Sequence, residues 1–213
     1  MGAGIGHLFW MLEIIYSDDA LVVVNKPTGL LSVPGRGPDK QDCLYHRMLE
    51  QFPDALMVHR LDMDTSGLVL FARTPEAQRN LSMQFEKREI SKTYIAVVEG
   101  VIEKKVGMVD FPMRKDMAHS LPPRHVVDCV RGKKALTEWK VLERTETTTR
   151  VALFPQTGRS HQLRVHMECI GFPIVGDPIY GTPAERLMLH AQSLEFRHPE
   201  TGEPIRLECP APF

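Results

Sequence analysis

The chain has 213 residues, 43% of them hydrophobic and 25% charged, with 26 Lys and Arg against 27 Asp and Glu. A chain of this length buries about 70% of the surface its unfolded form exposes, and its ordinary globular composition excludes collagen, coiled coil and intrinsic disorder. A net charge of −1 excludes binding to nucleic acid through bulk charge alone, but not through a local basic surface.

In chain order, residues 1–12 read as an N-terminal extension and 13–213 as a single domain. The apolar stretch Ile5 to Leu12 lacks a basic n-region and a small-x-small cleavage site, so it is not a signal peptide. No apolar run approaches the ~20 residues of a membrane span. A cytoplasmic protein with no membrane contact is expected. The β-branched run at 20–24 predicts a strand, and Lys26-Pro27-Thr28-Gly29 a turn. Leu44, Met48, Leu49 and Phe52 keep helical spacing up to Pro53. Residues 68–72 predict a second strand. Thr74-Pro75-Glu76 reads as N-cap, N1 proline and first-turn acid of a helix carrying Ala77, Leu81 and Phe85. Strands are predicted at 94–98, 136–142 and 150–154. The stretch between the first two, with Pro112, Pro122 and Pro123, reads as an irregular surface excursion.

Ser160 is placed as the cap of a helix with Leu163, Met167 and Ile170 on one face, ended by Gly171. Two last strands flank the turn His198-Pro199-Glu200-Thr201-Gly202. Strands outnumber helices and fall in neighbouring runs, which predicts an α+β fold, a mixed but largely antiparallel sheet with flanking helices. The four cysteines form no C-x-x-C pair, so neither a zinc knuckle nor a redox dithiol is signalled. Cys169, in an apolar helical pattern, is expected to be a buried thiol.

Two segments concentrate chemistry. In His59-Arg60-Leu61-Asp62-Met63-Asp64-Thr65-Ser66-Gly67, an extended chain would put Arg60, Asp62 and Asp64 on one side. A neighbouring cation favours an ionised carboxylate that acts as nucleophile or base. The plainer reading is a polar turn with a surface ion pair. In Gln156-Thr157-Gly158-Arg159-Ser160-His161-Gln162-Leu163-Arg164, a turn entering a helix together with two arginines suits a phosphate. His161 and His166 are five apart, which misses the spacing of a helical zinc pair. The run from Arg114 to Lys134 is basic, with His119 and His125 added. Asp62-x-Asp64-Thr65-Ser66 also approximates the D-x-D-x-T of magnesium-dependent phosphohydrolases, although Arg60 interrupts the apolar strand that should precede it. A non-catalytic RNA-binding or ribosome-assembly module is the other rival.

His59-Arg60-Leu61-Asp62 followed by Thr65-Ser66-Gly67-Leu68 resembles the catalytic motif of the RluA family of pseudouridine synthases. Val24-Asn25-Lys26-Pro27-Thr28-Gly29-Leu30, Lys92-Thr93-Tyr94, Thr157-Gly158-Arg159 through His166, Gly176-Asp177 with Tyr180-Gly181, and Leu189-His190-Ala191 resemble the family's other motifs in order. The resemblance implies a pseudouridine synthase catalytic domain. It is most similar to the short members that lack an N-terminal S4 domain and act on large-subunit 23S ribosomal RNA and the tRNA anticodon stem-loop. It implies Asp62 as the catalytic aspartate, Arg164 as its ion-pair partner, and Tyr94 as proton-transfer group or wall. Arg60 would fill the space of a flipped base, Leu189 would face the uracil, and Arg159, His161 and the basic excursion would bind phosphates. Lys26 would be structural support. No metal and no cofactor is expected, RNA is the partner, and a monomer is the expected state.

Overall fold

The computed structural model describes residues 12–118 and 123–213. The extension expected over 1–12 therefore lies outside the described residues except for Leu12, which is buried in the core. His119 and Pro122 of the basic excursion lie outside them as well.

The described elements are β1 (Glu13–Ser17), β2 (Leu21–Lys26), α1 (Leu44–Gln51), β3 (Leu56–Met57), β4 (Ser66–Ala72), α2 (Pro75–Lys87) and β5 (Ser91–Glu99). They continue with β6 (Val106–Val109), β7 (Met113–Lys115), β8 (His125–Val127), β9 (Thr137–Arg144), β10 (Thr148–Pro155), α3 (Gln162–Cys169), β11 (Leu189–Arg197) and β12 (Pro204–Glu208). One sheet runs β1-β2-β4-β11-β5-β10-β9-β6, with β3 and β12 paired off its path, and β7-β8 form a separate hairpin. Among the described strand pairs of the large sheet, β4 with β11 is parallel and the rest are antiparallel. The α+β expectation describes this molecule.

β2 and β4 are apolar at nearly every position because both their faces are covered. Leu21, Val23, Leu68 and Leu70 pack on the face that takes Ala77, Leu81 and Phe85 of α2. Val22, Val24, Val69 and Phe71 pack on the opposite face against Leu44 and Met48 of α1. The other half of the sheet carries α3, whose Leu163 and Met167 join Val98, Val151 and Leu153. Thr74 caps α2 as expected, its hydroxyl accepting from Ala77 N–H at 3.1 Å.

Three local expectations need correction. The supposed irregular excursion contains β6, an edge strand of the large sheet, and the β7-β8 hairpin. The β6 pattern hides itself because Gly107 takes the position where the Trp139 ring crosses; a Cβ there would lie 2.2 Å from the indole. Ser160 does not cap α3: His161 is the N-cap, in the left-handed region at φ 57° and without a side-chain cap bond. Instead the buried Gln162 turns back to accept from Arg159 N–H at 3.1 Å. Cys169 is exposed, while Cys43 and Cys209 are the buried thiols. Two residues beyond Met167 is roughly 200° around the helix, away from the core face.

Candidate active site

The loop between β3 and β4 carries Asp62, and side chains from residues 26–32 hold it in place. Lys26, fully buried, donates from Nζ to the carbonyls of Pro27, Leu30 and Met63 at 2.7–2.8 Å. Thr28 Oγ1 donates to the Asp64 carbonyl at 2.6 Å. Ser32 Oγ donates to Leu61 O at 2.6 Å and accepts from Leu61 N–H at 3.1 Å. Burial draws the Lys26 pKa down to about 7, against the attraction of Asp64 and Asp62. Three carbonyl acceptors match the three protons of an ammonium, so this lysine is a clamp on the loop. Residues 58–65 are irregular apart from their turn, so the extended-chain argument does not hold there. Arg60 and Asp62 do line one cavity; Asp64 is not among its walls.

That cavity, about 240 Å³, is walled by Tyr94 from β5, Leu189 from β11, Arg159 from the loop before α3, and His161 and Arg164 at the start of α3. All seven side chains expected at the site therefore meet in one place. Asp62 is the one carboxylate among the described lining residues. Arg164 is 2% exposed, and its Nη1 lies 3.6 Å from Asp62 Oδ2. Its closer partner is Asp177, which the sequence reading left without a role. Arg164 Nε and Nη2 donate to the two Asp177 oxygens at 2.7 Å each. Asp177 also accepts from the backbone N–H groups of Ile179 and Tyr180. Burial raises the Asp177 pKa, but these partners outweigh it and hold the carboxyl below its usual range. The planar guanidinium fork is thus locked along one edge, leaving Nη1 to face Asp62.

His161 was expected to bind backbone phosphate. It lies inside the site, with Nε2 4.0 Å from Asp62 Oδ2 and Nδ1 2.9 Å from Tyr180 Oη. Tyr180 Oη accepts from His125 N–H at 2.8 Å, so its own proton is best placed on His161 Nδ1. That arrangement leaves Nε2–H to face Asp62. Burial lowers the His161 pKa despite the nearby carboxylate, consistent with a neutral ring. Tyr94 is pushed well above the ordinary phenol range by burial, with the charge of Asp62 adding to it. Its hydroxyl therefore keeps its proton at neutral pH. Leu189 is 3% exposed and supplies an apolar wall. Arg60 and Arg159 stand exposed at the rim, Arg159 donating from Nε to the Lys134 carbonyl at 3.0 Å.

Gln162 was also missed as a positioning group. Gln162 Oε1 accepts from Thr157 Oγ1 and Arg159 N, while Nε2 donates to Leu136 O and Thr137 Oγ1. His166 bonds Thr137 through Nδ1 and the Phe111 carbonyl through Nε2, a core histidine. Polar and apolar side chains alternate along α3, so spacing alone did not single out Gln162. Among the described residues, no three His, Cys, Asp or Glu side chains are grouped to hold a metal ion.

The sequence signature described as RNA pseudouridylate synthase matches residues 20–169. The chain is 48% identical over 206 residues to the dual-specificity RNA pseudouridine synthase RluA of Yersinia pestis, covering 94% of this chain and 99% of that protein. It is 46% identical over 208 residues to the protein of the same name from Escherichia coli strain K12, covering 95% of this chain and 94% of that one. Among solved structures, human RNA pseudouridylate synthase domain containing 1 superposes with a TM-score of 0.82 at 29% identity, covering 100% of this chain and 87% of that chain. Human RNA pseudouridylate synthase domain containing 4 gives 0.75 at 26%, covering 94% and 88%. The signature runs through the loop that presents Asp62 and the helix that presents Arg164, and on that agreement of sequence, fold and site the chain belongs to the RNA pseudouridylate synthase family.

Proposed function

We propose that this protein isomerises uridine to pseudouridine in stem-loop RNA, acting on both large-subunit 23S ribosomal RNA and the tRNA anticodon stem-loop, as a cytoplasmic monomer without a cofactor. The observation that carries this reading is Asp62 as the lone carboxylate among the described residues lining the cavity, faced by an arginine whose other edge is fixed on Asp177. The reaction detaches uracil from its ribose, turns it, and rejoins it through C5, with no net redox change or hydrolysis. The Asp62 carboxylate serves either path to that end: attack on C1′, or removal of the C2′ proton to give a glycal. Arg164 and the His161 N–H hold the carboxylate in place. Tyr94, keeping its proton, walls the base; the proton that C5 gives up on rejoining is balanced by the one that N1 takes up. Leu189 forms an apolar wall of the slot in which the ring turns.

A paired uridine reaches the slot only by leaving its stack, at a cost of a few kcal/mol. Arg60, exposed at the rim, stacks in the vacated space, where its flat guanidinium both covers a base and hydrogen-bonds. Arg159 meets the backbone phosphates. The matched relatives are named for dual specificity toward RNA, which supports two substrates. The test is Asp62→Asn, which removes the charge at nearly constant shape. Pseudouridine formed in purified 23S rRNA and in a tRNA anticodon stem-loop should fall roughly 10²–10⁴-fold or more, with RNA affinity retained. A mutant that keeps a tenth of wild-type turnover overturns the assignment.

A further inference from the structure

A second cavity of about 600 Å³ opens beside the first, and the two share His59, Phe85, Lys92, Pro155 and the Thr157-Gly158-Arg159 turn as a common wall. Its volume falls within the range of small-molecule sites, roughly 300–1,000 Å³. Its far side is mixed: Val58, Ile90 and Phe154 give apolar contact, Arg88 adds a cation, and the carboxylates of Glu86 and Glu138 stand among the remaining lining residues. Lys92 and Tyr94 alternate to the same face of β5, so Lys92 reaches the wall between the cavities while Tyr94 lines the first. Among the described residues the half-buried Lys92 ammonium has neither an ion pair nor a hydrogen bond. Burial and the neighbouring Arg88 both lower its pKa, which is the signature of a cation lacking its counter-charge. The histidine beside it, His59, is neutral and bonded through Nε2 to Leu70 N–H, so it offers no anion.

Resting on the pseudouridine synthase reading, we propose that the second cavity holds the nucleotide adjacent to the target uridine, with Lys92 bound to the phosphodiester that joins the two. The geometry follows from chain connectivity. When two neighbouring nucleosides occupy two adjoining cavities, the phosphate linking them must pass the shared wall, and Lys92 stands there. The flanking base lies against the apolar side chains Phe85, Ile90 and Phe154, with Glu86 and Glu138 as carboxylates that can accept from its amino or imino N–H groups. That contact gives the enzyme a reading of the flanking position separate from its grip on the uracil.

The experiment uses one stem-loop RNA in three forms: intact, with a neutral methylphosphonate at the linkage 5′ or 3′ of the target uridine, and with an abasic residue at either neighbour. Affinity and single-turnover pseudouridine formation are measured for the wild type and Lys92→Met. The expected result is that one of the two methylphosphonates weakens wild-type binding about tenfold and that Lys92→Met weakens binding of intact RNA similarly. That methylphosphonate should cost Lys92→Met less than twofold more. The abasic neighbour on the same side should also weaken wild-type binding severalfold. The losses should appear in affinity rather than in the saturated single-turnover rate. Two neutral linkages and two abasic neighbours that all bind the wild type as tightly as intact RNA overturn the proposal, whether or not Lys92→Met folds. So do losses from the methylphosphonate and from Lys92→Met that simply multiply. Failure of wild type to form any pseudouridine would instead overturn the underlying function, which the same assay reads directly.

Discussion

Asp177 and Asp62 share one arginine but differ in what their loss does. Asp177 is fully buried and forms two charge-assisted bonds with Arg164. Asp62 is 29% exposed and meets the same guanidinium at 3.6 Å. Removing one partner of a buried pair costs about 3–5 kcal/mol, because the other charge stays behind unpaired. Asp177→Asn should therefore lose about that much stability in urea unfolding and also slow pseudouridine formation, since Arg164 is no longer held toward Asp62. Asp62→Asn should change stability by less than about 1 kcal/mol, as for other solvent-touched pairs. An Asp177→Asn protein as stable as the wild type would show that the pair is not the lock described. The sequence made Asp62 legible because its neighbours are distinctive. Asp177 was not, because its role depends on Arg164, 13 residues earlier, being brought against it by the turn after α3. Spacing along the chain carries no trace of that meeting.

At the scale of elements, the site depends on the parallel pairing of β4 with β11. Their register sets His190 against Ser66 and Ala191 against Gly67, which fixes Leu189 beside the loop carrying Asp62. Gly67 has φ 114°, and a Cβ on it would lie 2.3 Å from the Ala191 carbonyl oxygen. Alanine there meets both backbone strain and a backbone clash, so the strands must separate. Gly67→Ala should destabilise by more than the roughly 0.5–3 kcal/mol of an ordinary substitution, and much of the protein should be lost to aggregation. Thermal unfolding reads the outcome; a melting temperature within a degree or two of wild type would mean that the two strands do not approach as closely as the register requires. The strands β2 and β4 were legible because they carry near-continuous apolar runs, and β11, of mixed sequence, because a turn of Pro, Thr and Gly follows it. Their pairing was not: β4 and β11 lie more than a hundred residues apart, and either could have paired elsewhere on hydrophobicity alone. β6 was missed for a local reason, the glycine under Trp139.

Across the whole molecule, buried or half-buried histidines recur where separate elements are joined. His59, His125, His161, His166 and His190 all have their pKa lowered, burial being the largest cause in each. Their bonds are those of neutral rings. His59 accepts from Leu70 N–H, so it tethers the active-site loop to β4. His190 reaches the Cys209 carbonyl through Nε2 and Ser66 Oγ through Nδ1, joining β11 to β4 and to the C-terminal segment. A histidine whose folded pKa is depressed binds its proton more readily when unfolded. Stability is then complete above the unfolded value of 6.5 and declines as pH falls below it, until the folded pKa is reached. For His59, depressed to about 3, the loss continues down to that pH. At pH 5 it amounts to about 2 kcal/mol from this residue alone. The carboxylates with lowered pKa, Asp18 and Asp177 among them, withdraw their contribution only as pH falls below 3.8. The protein should therefore lose stability between pH 7 and pH 5, before its carboxylates are protonated. Urea midpoints at those two pH values check this, and His59→Gln, which keeps an acceptor for Leu70 N–H without titrating, should shrink the difference by about 2 kcal/mol. Equal midpoints for the wild type at pH 7 and pH 5 would mean that these rings are not held neutral by the fold.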